Sequence, residues 1–258
     1  MASAWQSLRG LRTLFRKEVH RYVKVMVQTV ATPVITALLY LLVFRQVLED
    51  RVEVYPGISY SAFLIPGLIM MSMIQNSFAN SSSSILQSKM NGNLVFVLLA
   101  PLSSIEMFLA FLGAAVSRGL AVGLCVFLAA LWFVDLPTEQ PLWLLTFALV
   151  GCGILGGLGI IAAIWSDGYD KLSAFSNFVI LPLSFLSGVF YSIHSLPPLW
   201  QQVSHYNPFF YLIDGFRYGF LAHSDVSPWW SLAISGGFLL LISAVCVRML
   251  ATGYKLRG

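Results

Sequence analysis

The chain has 258 residues, 58% of them hydrophobic and 10% charged, with a formal net charge of +4. That balance excludes a soluble globular domain. The positive charge falls at the flanks of apolar segments, so it reads as a topology signal and not as a nucleic-acid footprint. An all-α, polytopic membrane protein is the class that remains, because helices satisfy their own backbone groups in hydrocarbon.

The first 24 residues carry Arg9, Arg12, Arg16, Lys17, Arg21 and Lys24. They precede an apolar run of full membrane length without an evident small-residue cleavage site, which argues against a removed signal. From Leu8 to Tyr22, Leu8, Leu11, Leu14, Phe15 and Val19 share one helical side, and Arg9, Arg12, Arg16 and Lys17 fall largely on the other. This segment is expected to be an interfacial helix along the inner membrane surface and its anionic lipids.

Six stretches reach the roughly 20 residues that cross a bilayer. They are Val25–Phe44, Ala62–Ser84, Met107–Val134, Leu142–Trp165, Leu172–Tyr191 and Trp229–Met249. Lys- and Arg-rich short flanks stay cytoplasmic, so the N-terminus is placed inside. Six crossings return the C-terminus to that side, where Lys89, Lys171, Arg248, Lys255 and Arg257 agree. The other side holds Arg45, Arg51 and Arg217 among the acids Glu49, Asp50, Glu53, Asp135, Glu139, Asp214 and Asp225. The whole chain, 1–258, reads as one membrane domain with a short tail after residue 249.

Within the second stretch, Gln75, Asn76, Asn80 and Ser81–Ser84 need partners in hydrocarbon, and they are expected to face protein or a pathway. After it, Ile85–Met90 suits a short interfacial helix and Asn91-Gly92-Asn93 a turn before the apolar run Leu94–Ala100. Arg118, in the third stretch, is an intramembrane cation, which marks a transport pathway or a contact with anionic lipid. Gly151-Cys-Gly153-Ile-Leu-Gly156 spells G-x-G-x-x-G inside the fourth stretch, where no strand precedes it, so close helix packing is the better reading. Pro182 predicts a kink in the fifth stretch.

Between the fifth and sixth stretches, Ser195–Trp200 suggests one short helix and HYNPFFYLIDGFRYGFL, from His205 to Leu221, another. Asn207 suits an N-cap and Pro208 the first helical position. Asp214 and Arg217 would each cost about 2.5–3.5 kcal/mol alone at the bilayer centre, and their three-residue spacing predicts an ion pair on a re-entrant helix in the outer leaflet.

These residues carry a resemblance. The basic N-terminal segment, six apolar stretches and NPFFYLIDGFRYGFL before the last one resemble the ABC type-2 permease family, the membrane subunits of bacterial ABC exporters, and within it the YadH-like permeases. Lys89-Met90-Asn91-Gly92-Asn93-Leu94, with LLAPLS from Leu98, is a second marker, in which amides stand where the family usually has an acid or arginine. The resemblance implies a homodimer in the bacterial inner membrane, with the pathway at the subunit interface and two copies of a separate ATPase supplying ATP and Mg. It also implies that Lys89–Leu94 couples to that ATPase, with Arg16, Lys17 and Glu18 as a further contact. Asn207, Pro208, Asp214 and Arg217 become an outer-leaflet gate, and Gln75, Asn76, Asn80 and Arg118 a candidate pathway.

The chain has no G-x-x-x-x-G-K-[ST] loop, so ATP must be bound elsewhere if it drives the protein. No catalytic site, metal site or cofactor is expected in it. His20, His194, His205 and His223 are scattered, and Cys125, Cys152 and Cys246 lie in separate stretches without metal-ligand spacing. Asp167 and Asp170 suit a solvated turn. The competing reading is a proton-coupled carrier or a non-transporting membrane-assembly protein; the absence of a carboxylate well inside a stretch argues against the first of these.

Overall fold

A computed structural model describes residues 4–49, 51 and 54–256. Asp50, Glu53, Arg257 and the Leu8 side chain lie outside the described residues. The described chain is helical, with turns and no sheet. Helix α1, Ala4–Val23, leads at Lys24 and Val25 into α2, Met26–Leu48. Next come α3, Tyr60–Met90, the short α4, Leu94–Leu99, then α5, Ser104–Ala130, and α6, Pro141–Trp165. Helix α5 starts on a capping box, in which the Ser103 hydroxyl accepts from the Glu106 amide and the Glu106 carboxylate from the Ser103 amide.

Among the described residues, five helices are long and apolar enough to cross a membrane: α2, α3, α5, α6 and α11, Pro228–Thr252. The fifth predicted stretch, Leu172–Tyr191, is built differently. Its helical part runs from Tyr169 to Phe185 as α7, Tyr169–Phe175, a π-helical segment, Ser176–Ile180, and α8, Leu181–Phe185. That run is only about 25 Å long at 1.5 Å per residue. Pro182 supplies the reason, since its ring has no N–H and would collide with the carbonyl four residues back, and a wider π turn relieves the crowding. The helix ends soon after, and Gly188 turns the chain at φ +77°. A 3-10 turn, Ile193–Ser195, and two short helices follow, α9, Pro198–His205, and α10, Pro208–Leu221.

Helices α3 and α6 form the inner layer and share the largest helix interface. Phe63, Leu64, Ile69 and Met70 are almost fully buried around the circumference of the first half of α3, which is hidden on all sides there. Close approach to α6 depends on its glycines. A methyl on Gly151 would meet Met70 of α3 at 2.1 Å and one on Gly156 would meet Ala115 of α5 at 3.0 Å. The literal G-x-G-x-x-G is therefore a helix-packing stripe. Helices α2 and α11 lie outside and expose Ile35, Leu39, Leu42, Leu240 and Leu241. The ends of the bundle differ in charge. One carries Arg9, Lys17, Lys89, Lys171 and Lys255 and is called the basic end here; Glu49, Glu139 and Asp225 lie at the far end.

Candidate functional site

At the far end, α10 is buried in the bundle. Asn207 caps it by accepting from the Phe209 amide at 3.0 Å, and its Nδ2 donates to the Leu183 carbonyl at 2.8 Å, tying α10 to α8. Pro208 takes the first helical position, as the sequence predicts. Gly215 and Gly219 let α10 touch α6, because a methyl on Gly219 would stand 2.7 Å from the Leu144 backbone.

The Asp214–Arg217 pair is a correction. Both side chains are buried, at 0% and 1% exposure, yet no ion pair joins them. Arg217 Nη2 donates to the Gly188 carbonyl at 2.7 Å and Nε to the Phe63 carbonyl at 3.3 Å, with the guanidinium 3.8 Å from the Phe63 ring centre. Asp214 accepts from the Asp225 and Val226 amides at 2.8 and 3.1 Å. Three-residue spacing puts both groups on one side of the helix, but each finds backbone partners from a different segment, which suit its desolvation better than a mutual contact.

Sequence reasoning missed Asp225 as a hub. Its carboxylate accepts from the Tyr55 hydroxyl at 2.7 Å, the Ser192 hydroxyl at 2.7 Å and the Ile193 amide at 2.8 Å. These donors come from the α2–α3 connection and the segment after α8, so no local signal in the sequence marks it. Burial and the neighbouring Asp225 carboxylate hold the Tyr55 phenol protonated well above its usual range, although Arg217 opposes the shift.

In the middle of the bundle, one stripe of α3 stays open. Ser72, Gln75, Asn76 and Ser83 line a cavity of about 660 Å³ with Arg21 of α1, Thr32 and Thr36 of α2 and Arg118 of α5. A second, open cavity of about 460 Å³ shares Gln75, Asn76 and Ser83 and is bordered by Ser173, Ser176 and Asn177 of α7 and the π segment. Three of the four predicted pathway residues thus meet. Arg118 Nη2 donates to Asn76 Oδ1 at 3.2 Å. Asn80 is buried beside them and serves another purpose, as acceptor for Arg21 through its carbonyl at 2.7 Å and its Oδ1 at 3.0 Å.

At the basic end, the predicted coupling residues separate into two groups. Asn91, Gly92 and Asn93 form an exposed turn, with Gly92 at φ +70°, a conformation that favours glycine. Met90, Arg16 and Lys17 are exposed with it, and a groove of about 550 Å³ between α1 and α4 is lined by Lys17, Asn93 and Phe96. Leu94 is buried under the turn. Glu18 and Lys89 point inward. Glu18 is 1% exposed, receives the Ser84 hydroxyl and pairs with Arg21 at 3.2 Å. Its place one turn after Leu14 and two after Leu11 puts it on the apolar stripe, a signal readable in the sequence. Lys89 Nζ donates to the Ile164 and Ser166 carbonyls at 3.1 and 2.9 Å, capping the C-terminus of α6, where a cation also suits the helix dipole. Asp167 gathers Lys171 at 2.6 Å, Lys255 at 3.7 Å and Lys89 at 4.0 Å. The bonded Lys171 ammonium, with Lys255 and Lys89 beyond it, holds the exposed Asp167 carboxyl below the usual carboxylate range.

Comparison with known proteins now decides the family. Residues 9–221 match the model of the ABC-2 type transporter family. The chain is also 37% identical over 251 residues to the inner membrane transport permease YadH of Escherichia coli (strain K12), covering 96% of this chain and 97% of that protein. The chain belongs to the ABC-2 type transporter family. More distant relatives are the capsule polysaccharide export inner-membrane protein CtrC of Neisseria meningitidis serogroup B, 25% identical over 86% of this chain and 82% of its own length, and nodulation protein J of Sinorhizobium fredii, 27% identical over 74% and 70%. As an ABC-2 protein the chain is a multi-pass membrane permease subunit.

Proposed function

We propose that this chain is the membrane half of an ATP-driven exporter in the bacterial inner membrane. It works as a homodimer and takes its energy from two copies of a separate ATPase subunit that binds ATP and Mg. The observation that carries this reading is the groove at the basic end, where Lys17 of α1 and Asn93 of the α3–α4 turn, far apart in sequence, form one exposed surface. A motor docked there pushes on α1 and α3 together. Helix α1 is latched to α3 by Arg21 on Asn80 and Ser83, and the polar stripe of α3 begins at that latch. Movement of the motor thereby reaches Gln75, Asn76 and Arg118 through contacts already in place.

The basic end faces the cytoplasm with both termini, and the segment 169–191 makes a sixth, broken crossing. Helices α9 and α10 then enter and leave the outer leaflet, and α10 serves as the gate, held shut by Arg217 on Gly188 and by Asp214 on the Asp225 amide. ATP hydrolysis by the purified assembly tests the reading. Lys17→Glu combined with Asn93→Glu is expected to lower it about tenfold, the effect of about 1.4 kcal/mol at a contact, while the chain stays in the membrane. Unchanged hydrolysis and transport would overturn the assignment of this groove as the motor contact.

A further inference from the structure

Arg118 stands near the middle of α5, and no ion pair joins it to a carboxylate among the described residues. Among the described residues its one hydrogen bond goes to the neutral Asn76, and its Nε is buried without a partner there, as is the Nε2 of Gln75 beside it. The other cation in the cavity, Arg21, is already matched by Glu18 at 3.2 Å and by Asn80 and Ser83. None of the described residues lining the cavity is an acid. The space therefore carries one uncompensated positive charge at membrane depth, where a lone cation is costly and ordinarily has a partner. Asn76 holds the guanidinium in place without neutralising it. Around this point Thr29, Thr32, Thr36 and Ser72 offer hydroxyls, and Val25, Pro33, Leu68 and Met71 an apolar wall. At about 660 Å³ the cavity falls within the size range of ligand sites.

We propose that the missing counter-ion comes from the ligand, and that this cavity receives an anionic oxygen group, phosphate or carboxylate, of the transported molecule. The inference rests on the pathway reading above and names the charge class of its cargo. An amphiphile fits both faces of the cavity, the headgroup against Arg118 and its apolar part along Leu68 and Met71.

The test uses the purified full chain in nanodiscs of phosphatidylcholine with or without phosphatidylglycerol, and reads retained lipid by native mass spectrometry. The parent is expected to retain phosphatidylglycerol at least about tenfold over phosphatidylcholine. Asn76→Asp places a carboxylate where Arg118 already donates, without changing the side-chain shape, and it is expected to remove the preference; Arg118→Gln removes it too, and Arg118→Lys keeps part. Inorganic phosphate, titrated separately, identifies the source. If it competes with the lipid, the anionic group alone is recognised, and if it does not, the lipid-tailed form is required. No headgroup preference in the parent, or an unchanged preference in Asn76→Asp and Arg118→Gln, would overturn the proposal. The pathway reading is tested apart from it by labelling Thr36→Cys, in a Cys125→Ser background, with a water-soluble thiol reagent. Labelling without anion preference leaves a pathway for neutral cargo and overturns the anion site. Anion preference without labelling upholds the anion site and overturns the pathway.

Discussion

Two arginines of this permease sit in the same bundle under opposite conditions. Arg217 is fully enclosed, donates to two backbone carbonyls and lies on the Phe63 ring. Arg118 is half-buried, has one neutral partner, and faces a cavity. The first is the pattern of a structural strut, with two of its nitrogens bonded and its charge spread over dipoles and a ring face. The second is the pattern of a site prepared for something else. The difference teaches that an intramembrane cation is informative only with its partners in view: α10 is tied on both flanks by buried polar groups, whereas the open stripe of α3 is left incompletely bonded.

The comparison breaks first at Arg217. Arg217→Ala should lose about 2–5 kcal/mol of stability, through an emptied cavity and two carbonyls stripped of their donor, and Arg118→Gln should lose under about 1 kcal/mol. Thermal melts of both variants in detergent check this, and similar losses would erase the distinction. Exchanging the charges, Asp214→Arg with Arg217→Asp, should not rescue either single variant, because the two side chains do not meet. A smaller effect is expected from Gly219→Ala, about 1–3 kcal/mol destabilising, since the added methyl meets the Leu144 backbone. Gly236→Ala on α11, where a methyl would meet no described residue within 4 Å beyond its own helix backbone, should be neutral or slightly stabilising.

The smallest effect belongs to the basic end. The Asp167 pKa is depressed in the folded chain, so its contribution is present above the unfolded value of about 3.9 and is lost as pH falls through the lower folded value. Lowering the pH from about 5 to about 3 should therefore release the lysines around it, and Asp167→Asn should remove that part of the pH dependence with little change in melting at neutral pH. An identical pH profile in the variant would show that the cluster contributes nothing.

Much of this was legible in the sequence. Asn207-Pro208 marks the start of α10, as the cap geometry shows, and the all-helical class follows from apolar run length alone. The polar residues of α3 read as facing either protein or a pathway, and the structure divides them: Gln75, Asn76 and Ser83 line a cavity, while Asn80 and Ser81 bond to neighbouring helices. What escaped was direction. Spacing says that Asp214 and Arg217 share a side of one helix; which segments fold over that side depends on the Gly188 turn and the Asp225 hub, and both are non-local. Lys89 reads as a loop cation beside a coupling turn, yet its stem reaches α6, a contact set by the tertiary packing of α3 on α6. The fifth stretch has the composition of a span, and the steric effect of Pro182 on the preceding turn shortens its helix.

One measurement reaches the central claim, that the polar stripe of α3 lies on an ATP-driven pathway. A cysteine at Ser72 in that stripe, and another at the exposed Leu124 of α5, are labelled with a water-soluble thiol reagent in membranes holding the chain with the proposed ATPase, with and without ATP. The account predicts that Ser72→Cys reacts, that its rate changes on adding ATP, and that Leu124→Cys stays unreactive in lipid. Equal, ATP-independent behaviour of the two positions would contradict it.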